Sequence, residues 1–507
     1  MMSFKRFLAG FVTLTALAFG SANASSPPSH GSIPNLPPWV ASYFGGNGIG
    51  NSERINGMVV DPDTQDIIVV GETNSANAPI TIGAADTFFS GGSEGFVARF
   101  SADLRTLLAA TYFGGNGQDT AYGVALDPST GDVFIVGYSN SATLPGIAGA
   151  AQSIPGGGFD AFVARLSPNL DQIRQATFFG RLGTEYGVGI KIRETDRSIF
   201  IVGSSSSLTL PASEAGAQPT SGGGNQDGFI ACFSTDLRSL AASTFQGGNG
   251  IDDLFGMWID PVTDDVVVAG GTTSTNLGNL AGAAQSQLAG GYDVQLARFS
   301  GNLDLRRRSS YYGGSGNESP NSLEFDPITS GLLVAGATRS PALPGAAGTV
   351  QDELHGELDG FLVRFATDLG ARGRATYVGG DFGDVVYGVV VNRQGDIFMT
   401  GSTQSTDFPG APPLVGTSAF ITRIPNSMLG NFSSLRWGSN GEVGLGTQSL
   451  TIAHSGLSRV CIGGITSGPY VPYTSGSARP NYGGGNSDGF ITCVKDDQFP
   501  IFVDGFD

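Results

Sequence analysis

The stretch YFGGNGQDTAYGVALDPSTGDVFIVGYS, residues 112–139, decides how this chain folds. Tyr112 leads into a glycine-rich turn, Gly114-Gly115-Asn116-Gly117, that a helix interior would not tolerate. Val124 to Leu126 is a short apolar run ended by Asp127-Pro128, with Gly131 completing a turn. Val133 to Tyr138 is a second run, rich in β-branched and aromatic residues. After a long segment with Leu144-Pro145, Gly149 and Gln152, ending in Gly156-Gly157-Gly158, come a third run, Ala161 to Leu166, and a fourth, Ala176 to Phe179. Four such runs between turn residues predict one antiparallel sheet. They are too short and too often broken by glycine for helices.

The opening aromatic recurs at Tyr43, Tyr112, Phe178, Phe245, Tyr311 and Tyr377, in steps of 69, 66, 67, 66 and 66 residues, with a degenerate copy around Trp437. A fixed period of this size signals units that bury their faces against neighbours. A ring of four-stranded sheets is a propeller. The seventh copy has three strands, near Leu450, Val460 to Ile462, and Phe490 to Val494, and no fourth. Trp39 to Phe44 is an orphan fourth strand with no first three before it. The sequence therefore predicts an all-β, seven-bladed β-propeller of four-stranded antiparallel blades over 39–496, closed by the N-terminal strand, with a tail at 497–507. Closure removes the edges an open array would expose.

With the repeat laid out, the chain resembles the bacterial β-propeller repeat family called SBBP. The motif runs aromatic-x-Gly-Gly (Tyr112 to Gly115), an acid (Asp119), Gly123 to Asp127, and Asp160-Ala161-Phe162. The likeness covers roughly residues 39–495 and implies the propeller fold in a surface or secreted protein. Departures stand at Arg181 and Arg193 in the third copy, Val294-Gln295 after Asp293, and Ser418 in the sixth.

Residues 1–24 read as a secretory signal peptide. Lys5 and Arg6 precede an apolar Phe7 to Phe19, and Ala22-Asn23-Ala24 is a small-x-small cleavage site. A Ser/Pro-rich leader fills 25–38. The apolar stretch is too short to span a bilayer, and no transmembrane segment is expected. The reading predicts a secreted protein, periplasmic or extracellular, acting as a monomer. Losing Lys5 and Arg6 takes the net charge from −18 to −20, which argues against nucleic acid as partner. Of Cys232, Cys461 and Cys493, the last two fall on neighbouring strands and are the expected disulfide; three small buried hydrophobes is the alternative.

A carboxylate precedes the inner-strand glycine by four residues in every copy: Glu53, Asp119, Glu185, Asp252, Glu318, Asp384 and Glu442, with Ser322 replacing the glycine in the fifth. These seven predict a ring near one channel mouth. Each would pin its own turn through backbone N–H groups, or the ring would hold a cation, calcium being the candidate cofactor. Asp61, Asp127, Asp260 and Asp326 precede proline and suit type I turns. Asp61, Asp63 and Glu72 loosely imitate a calcium loop, but Asp66 stands where glycine is needed. Gly91 to Gly95 matches G-x-S-x-G without the strand-to-helix turn a nucleophile needs. His30, His355 and His454 share no common place in the repeat. No residue is therefore assigned to catalysis.

The long loop between second and third strands varies between copies: Leu208 to Pro211, Leu354 to Glu357, Pro469 to Tyr473. It is either the binding element or a cover for blade edges. The sequence thus points to a non-catalytic interaction module for a protein or glycan. The alternatives are a carbohydrate-active or other hydrolytic enzyme using channel-mouth carboxylates, and a calcium-rigidified structural surface protein. An enzyme would concentrate unusual polar groups at one channel end; a binding module would expose aromatics.

Overall fold

The computed structural model describes residues 38–47, 52–438, 447–455 and 458–499. They form seven four-stranded antiparallel sheets. In the second blade the strands are Asp119–Leu126, Val133–Ser139, Asp160–Leu166 and Ile173–Phe179, adjacent in that order. The seventh blade takes Thr447–Ser455, Arg459–Thr466 and Asp488–Lys495 from the end of the chain and Trp39–Phe44 from its beginning. Trp39–Phe44 pairs with the end strand from Trp39↔Val494 to Phe44↔Gly489. The ring closes as the strand count predicts. Cys461 and Cys493 are register partners and form a disulfide, while Cys232 is a buried free thiol.

Innermost strands begin at the carboxylate, earlier than the apolar run suggested. Asp119 pairs with Ser139, and the register then shifts between Ala121 and Gly123, leaving Tyr122 as a bulge. The glycine after the bulge is required by the next blade: a Cβ on Gly57 would collide with the Tyr122 carbonyl, and one on Gly123 would lie 2.9 Å from that of Val188. The fourth blade departs most. Its inner strand shrinks to Gly256–Ile259, with Asp252 bridging Thr272 alone.

The core lies between blades. Val70, Val97 and Phe113 of the first blade pack with Ile135, Phe162 and Ala164 of the second, all fully buried. Burying each such side chain contributes about 1.5–3 kcal/mol.

Polar clasps add to this apolar packing. The long loop runs along the outer strand of its own blade, as in Tyr112 N–H to Asp86 O at 3.1 Å and Phe178 N–H to Gln152 O at 3.0 Å. It then reaches the next blade, where Ala85, Ala151, Ala217, Ala284, Val350 and Ala478 donate to the carbonyls of Leu170, Leu237, Leu303, Leu369, Met428 and Leu104. Those six acceptors are fully buried at φ of 56 to 63°, a left-handed conformation uncommon for such side chains. The loops are therefore straps that cover an edge, the second of the two readings above.

At the same turns of the next blade an arginine also crosses each of these interfaces. Arg99, Arg165, Arg298 and Arg364, each five residues into a third strand, donate to the carbonyls of Pro168, Thr235, Thr367 and Asn426 in the next blade. The same arginines pair with the turn carboxylates, as Arg99 does with Asp61 and Asp66. Those carboxylates also cap their turns, Asp61 accepting from Asp63 N–H at 2.9 Å, as the Asp-Pro spacing predicts.

The interface between sixth and seventh blades differs, because the seventh has no third-to-fourth turn. The 3₁₀ turn Asp496–Gln498 stands there instead. Asp496 accepts from Asn392 at 3.2 Å and bonds His454 Nε2 at 2.8 Å, and buried Phe499 meets Phe398 edge-on at 5.2 Å. Of the tail assigned to 497–507, the residues as far as Phe499 are described, and Phe499 is buried here.

Candidate functional site

Six of the seven predicted ring carboxylates are described and fully buried; Glu442 lies outside the described residues. Each engages its own turn. Asp119 Oδ2 accepts from Gly115 N–H at 2.9 Å and Ser141 Oγ at 2.8 Å. Asp252 accepts from Gly248 N–H at 2.8 Å and Ser274 Oγ at 2.6 Å, and Asp384 from Gly380 N–H at 2.8 Å and Ser405 Oγ at 2.7 Å. Glu185 accepts from Arg181 N–H and Ser205, Glu318 from Gly314 N–H and Thr338, and Glu53 from Thr73 and Ser75.

A second set of acids, which the sequence marked only as a motif position at Asp160 and Asp293, lies beside the first. Glu94, Asp160, Asp227, Asp293, Asp359 and Asp488 start third strands and accept from the loop before them, as Asp160 does from Gly156 N–H at 2.9 Å. One acid of each set meets the other between blades two and three, three and four, four and five, and five and six. Gly180 lies against the pair Asp160 and Glu185, Gly247 against Asp227 and Asp252, and Gly313 against Asp293 and Glu318. No side chain fits there, which is why the turn after the aromatic opens with glycine. Burial raises these acids: Asp227, Asp293 and Asp384 to about 6, and Asp488 to about 7. Among the described residues no group of three or more His, Cys, Asp or Glu is disposed to hold a metal ion.

The channel along the axis encloses a cavity of about 690 Å³. The bulge position of every blade lines it: Asn56, Tyr122, Val188, Phe255, Asn321, Tyr387 and Leu450. Both asparagines reach the next blade, Asn56 Nδ2 donating to Ala121 O at 3.0 Å and Asn321 Nδ2 to Val386 O at 2.8 Å.

At the mouth beside the acid ring, equivalent positions carry unequal side chains. The residue after the ring carboxylate, its second-strand neighbour and the residue before the third-strand acid supply Arg54 and Glu72, then Tyr138 and Phe159, then Tyr186 and Gln226, then Asp253 and Tyr292 in blades one to four. The same places in blades five and six hold Ser319, Ala337 and Leu358, then Val385, Ser402 and Thr417. Tyr138 meets Tyr186 edge-on at 4.8 Å and Phe159 at 5.5 Å, and Tyr122 lies 5.8 Å from Tyr138. All four rings are half-buried. Thr120 Oγ1 donates to Glu72 Oε2 at 2.9 Å on one flank. On the other, Gln226 and Tyr292 donate to the two oxygens of Asp253, the second at 3.1 Å. Burial raises the pKa of Asp253 and, with that carboxylate beside it, of Tyr292.

The Val294-Gln295 departure belongs to this corner. Gln295 replaces the phenylalanine of other copies, is fully buried, and donates to Gly271 O at 3.0 Å and Asp253 O at 3.3 Å while accepting from Gln246 at 2.9 Å. The signal available in the sequence was the aromatic and charged content of positions that other copies fill with small residues. His355 and His454 lie away from the mouth, the first donating its N–H to Asp359 and the second bonded to Asp496; His30 is outside the described residues.

A seven-bladed propeller with one polar, aromatic half-mouth is the class of protein this geometry defines. Residues 110–145 match the family model described as a beta-propeller repeat, SBBP, over the stretch that holds Tyr112 to Asp127. Among solved structures the chain is similar to Raptor of Chaetomium thermophilum, at 8% identity and a TM-score of 0.44 over 90% of this chain and 30% of that one. It is also similar to a protein of unknown function from Dyadobacter fermentans DSM 18053, at 9% identity and a TM-score of 0.42 over 91% and 99%. A third is Sqt1 of Chaetomium thermophilum, at 13% identity and a TM-score of 0.35 over 90% and 97%. This chain spans about 30% of the length of that Raptor chain. No curated protein matches the chain.

Proposed function

We propose that this chain is a secreted, non-catalytic binding module of the bacterial envelope or extracellular space, seating its ligand at the half-mouth formed by blades one to four. The observation that carries the reading is the asymmetry: a repeated scaffold presents Tyr138, Phe159 and Tyr186, flanked by Glu72 and Asp253, in blades one to four, where the same positions of blades five and six carry no aromatic. Half-buried tyrosines on rigid strands offer contact area at low entropic cost. The cavity beneath has the size of a small-ligand site. Binding is favoured over catalysis because both oxygens of Asp253 are occupied by Gln226 and Tyr292. The leader reading and the Cys461–Cys493 bridge support an oxidising compartment.

The test is a thermal melt of the protein against soluble peptides and oligosaccharides, alongside a Tyr138→Ala/Tyr186→Ala variant and a Ser319→Ala/Val385→Ala variant. A ligand at a hundredfold excess over Kd stabilises by about 2.7 kcal/mol. That shift should vanish in the tyrosine variant and persist in the other. A ligand held equally by both moves the seat elsewhere, and turnover abolished by Asp253→Asn would favour the hydrolytic reading.

A further inference from the structure

Resting on that seat, we infer that its ligand is a neutral glycan, held with a sugar ring flat against Tyr186 or Tyr138. Three candidate chemistries suit a tyrosine-rich mouth, and the geometry separates them.

A quaternary ammonium needs an open cage, with the cation between rings and within about 6 Å of each centroid. Here the rings touch one another, with centroids 4.8 to 6.0 Å apart. That is the separation of aromatic pairs in contact, and it leaves no room between them. The cluster is a packed platform of half-buried rings. A peptide would seek backbone partners, most simply along an exposed strand edge. The outer edges are covered by the loop straps, as at Thr81 N–H to Ala110 O and Tyr112 N–H to Asp86 O. At the mouth itself Gln295 already caps the carbonyls of Asp253 and Gly271.

A pyranose asks for what remains. One of its faces is apolar and lies against an aromatic ring, while its hydroxyls need donors and acceptors around the rim. Glu72, Gln226 and Tyr292 supply both kinds from side chains, two of them already fixed by their bonds to Asp253. The charge balance selects a neutral sugar. Arg54 is the cation among these groups, Glu72 and Asp253 oppose it, and the chain carries −18 overall, so a polyanionic glycan is repelled.

The experiment is calorimetric titration of the full folded protein with chito-, cello-, xylo- and malto-oligosaccharides, choline, and an oligoproline peptide. One neutral oligosaccharide series binds, Tyr186→Ala weakens it by about tenfold or more, and Ser319→Ala leaves it within about twofold. Should Tyr186→Ala fail to fold, saturation-transfer NMR on the unaltered protein serves instead, with magnetisation passing from tyrosine ring protons to sugar ring protons. Binding of choline or oligoproline without any sugar, weakened by Tyr186→Ala, overturns the glycan assignment and leaves the seat standing. Sugar binding untouched by both tyrosine substitutions and without that transfer overturns the seat. Binding of no sugar at all overturns the inference.

Discussion

Arg193 of the third blade donates a 2.7 Å hydrogen bond to the carbonyl of Gly301 in the fourth. In other blades that carbonyl position receives an arginine from the third strand, but here the equivalent residue is Cys232. The seventh blade repeats the exchange: Cys493 holds the arginine place, and Arg459 from the second strand donates to Ala102 O at 2.6 Å. Two sequence departures that look unrelated, a cysteine for arginine and an arginine for aspartate, are one substitution of clasp for clasp.

Arg193→Ala should therefore destabilise the ring by about 1.5–3 kcal/mol, the range for a hydrogen bond from a charged donor. Cys232→Arg in that background should restore part of the loss, because the third-strand position already serves four other blades. Urea melts of the single and double variants check this. No recovery in the double variant would mean the two positions are not interchangeable.

The paired acids between blades set a pH dependence. Asp227, Asp293, Asp384 and Asp488 are raised in the folded chain, chiefly by burial, so the folded state holds their protons more tightly than the unfolded chain does. Their contribution is complete below the ordinary carboxyl range of about 4 and is lost as pH rises through about 6 to 7. Asp61, Asp260 and Asp326 run the other way. Turn N–H groups and arginines lower them against the opposing effect of burial, and their contribution is lost as pH falls below that ordinary range. The melting temperature should rise from pH 8 to pH 5 and turn down below about pH 4. Asp488→Asn should raise the pH 8 value and flatten the slope. A profile flat from 5 to 8 would contradict the assignment.

The fold was legible in the sequence because its repeat is dictated by close packing. Aromatic, glycine pair, acid and post-bulge glycine each answer a contact that recurs at most interfaces, and the count of strands at the two ends gave the closure. The site was less legible for the opposite reason. Tyr138 and Asp253 occupy positions with no recurring demand, so nothing in the period marks them; only their contrast with Ala337 and Ser319, once the strands are in register, does so. The long loops misled in part, since their variable contents suit a binding element and their strap bonds run through backbone N–H groups that carry no residue signature.

Gly180→Ala should be among the costlier small substitutions in the chain. Its Cβ would overlap Asp160 Oδ1 and Glu185 Oε2, both on fully buried side chains, and overpacking of this kind costs about 1–3 kcal/mol. Gly92→Ala is the control, its nearest neighbour being Gln118 Cγ at 3.8 Å. It should be neutral or stabilising by up to about 1 kcal/mol through the unfolded chain. Equal effects in thermal melts would refute the crowding argument.

The seam between the sixth and seventh blades should open first. Among the described residues no strap residue of the sixth blade's loop donates to the seventh, and Arg423 pairs with Asp396 in its own blade. Ser418 stands where the third-strand acid would be, its hydroxyl 3.1 Å from Arg436. What joins the blades instead is an apolar cluster with Phe398 and Phe499, and the bond from Asn392 to Asp496. Regions with fewer interlocking bonds open at lower free energy than the whole fold. Native-state hydrogen exchange should show the amides of Ser433–Gly438 and Thr447–Ser455 exchanging before their counterparts in the second and third blades. Asn392→Ala should widen that gap, since it removes a bond that crosses the seam. Uniform exchange around the ring would show that the apolar cluster alone compensates for the missing clasps, and would place the weakest interface elsewhere.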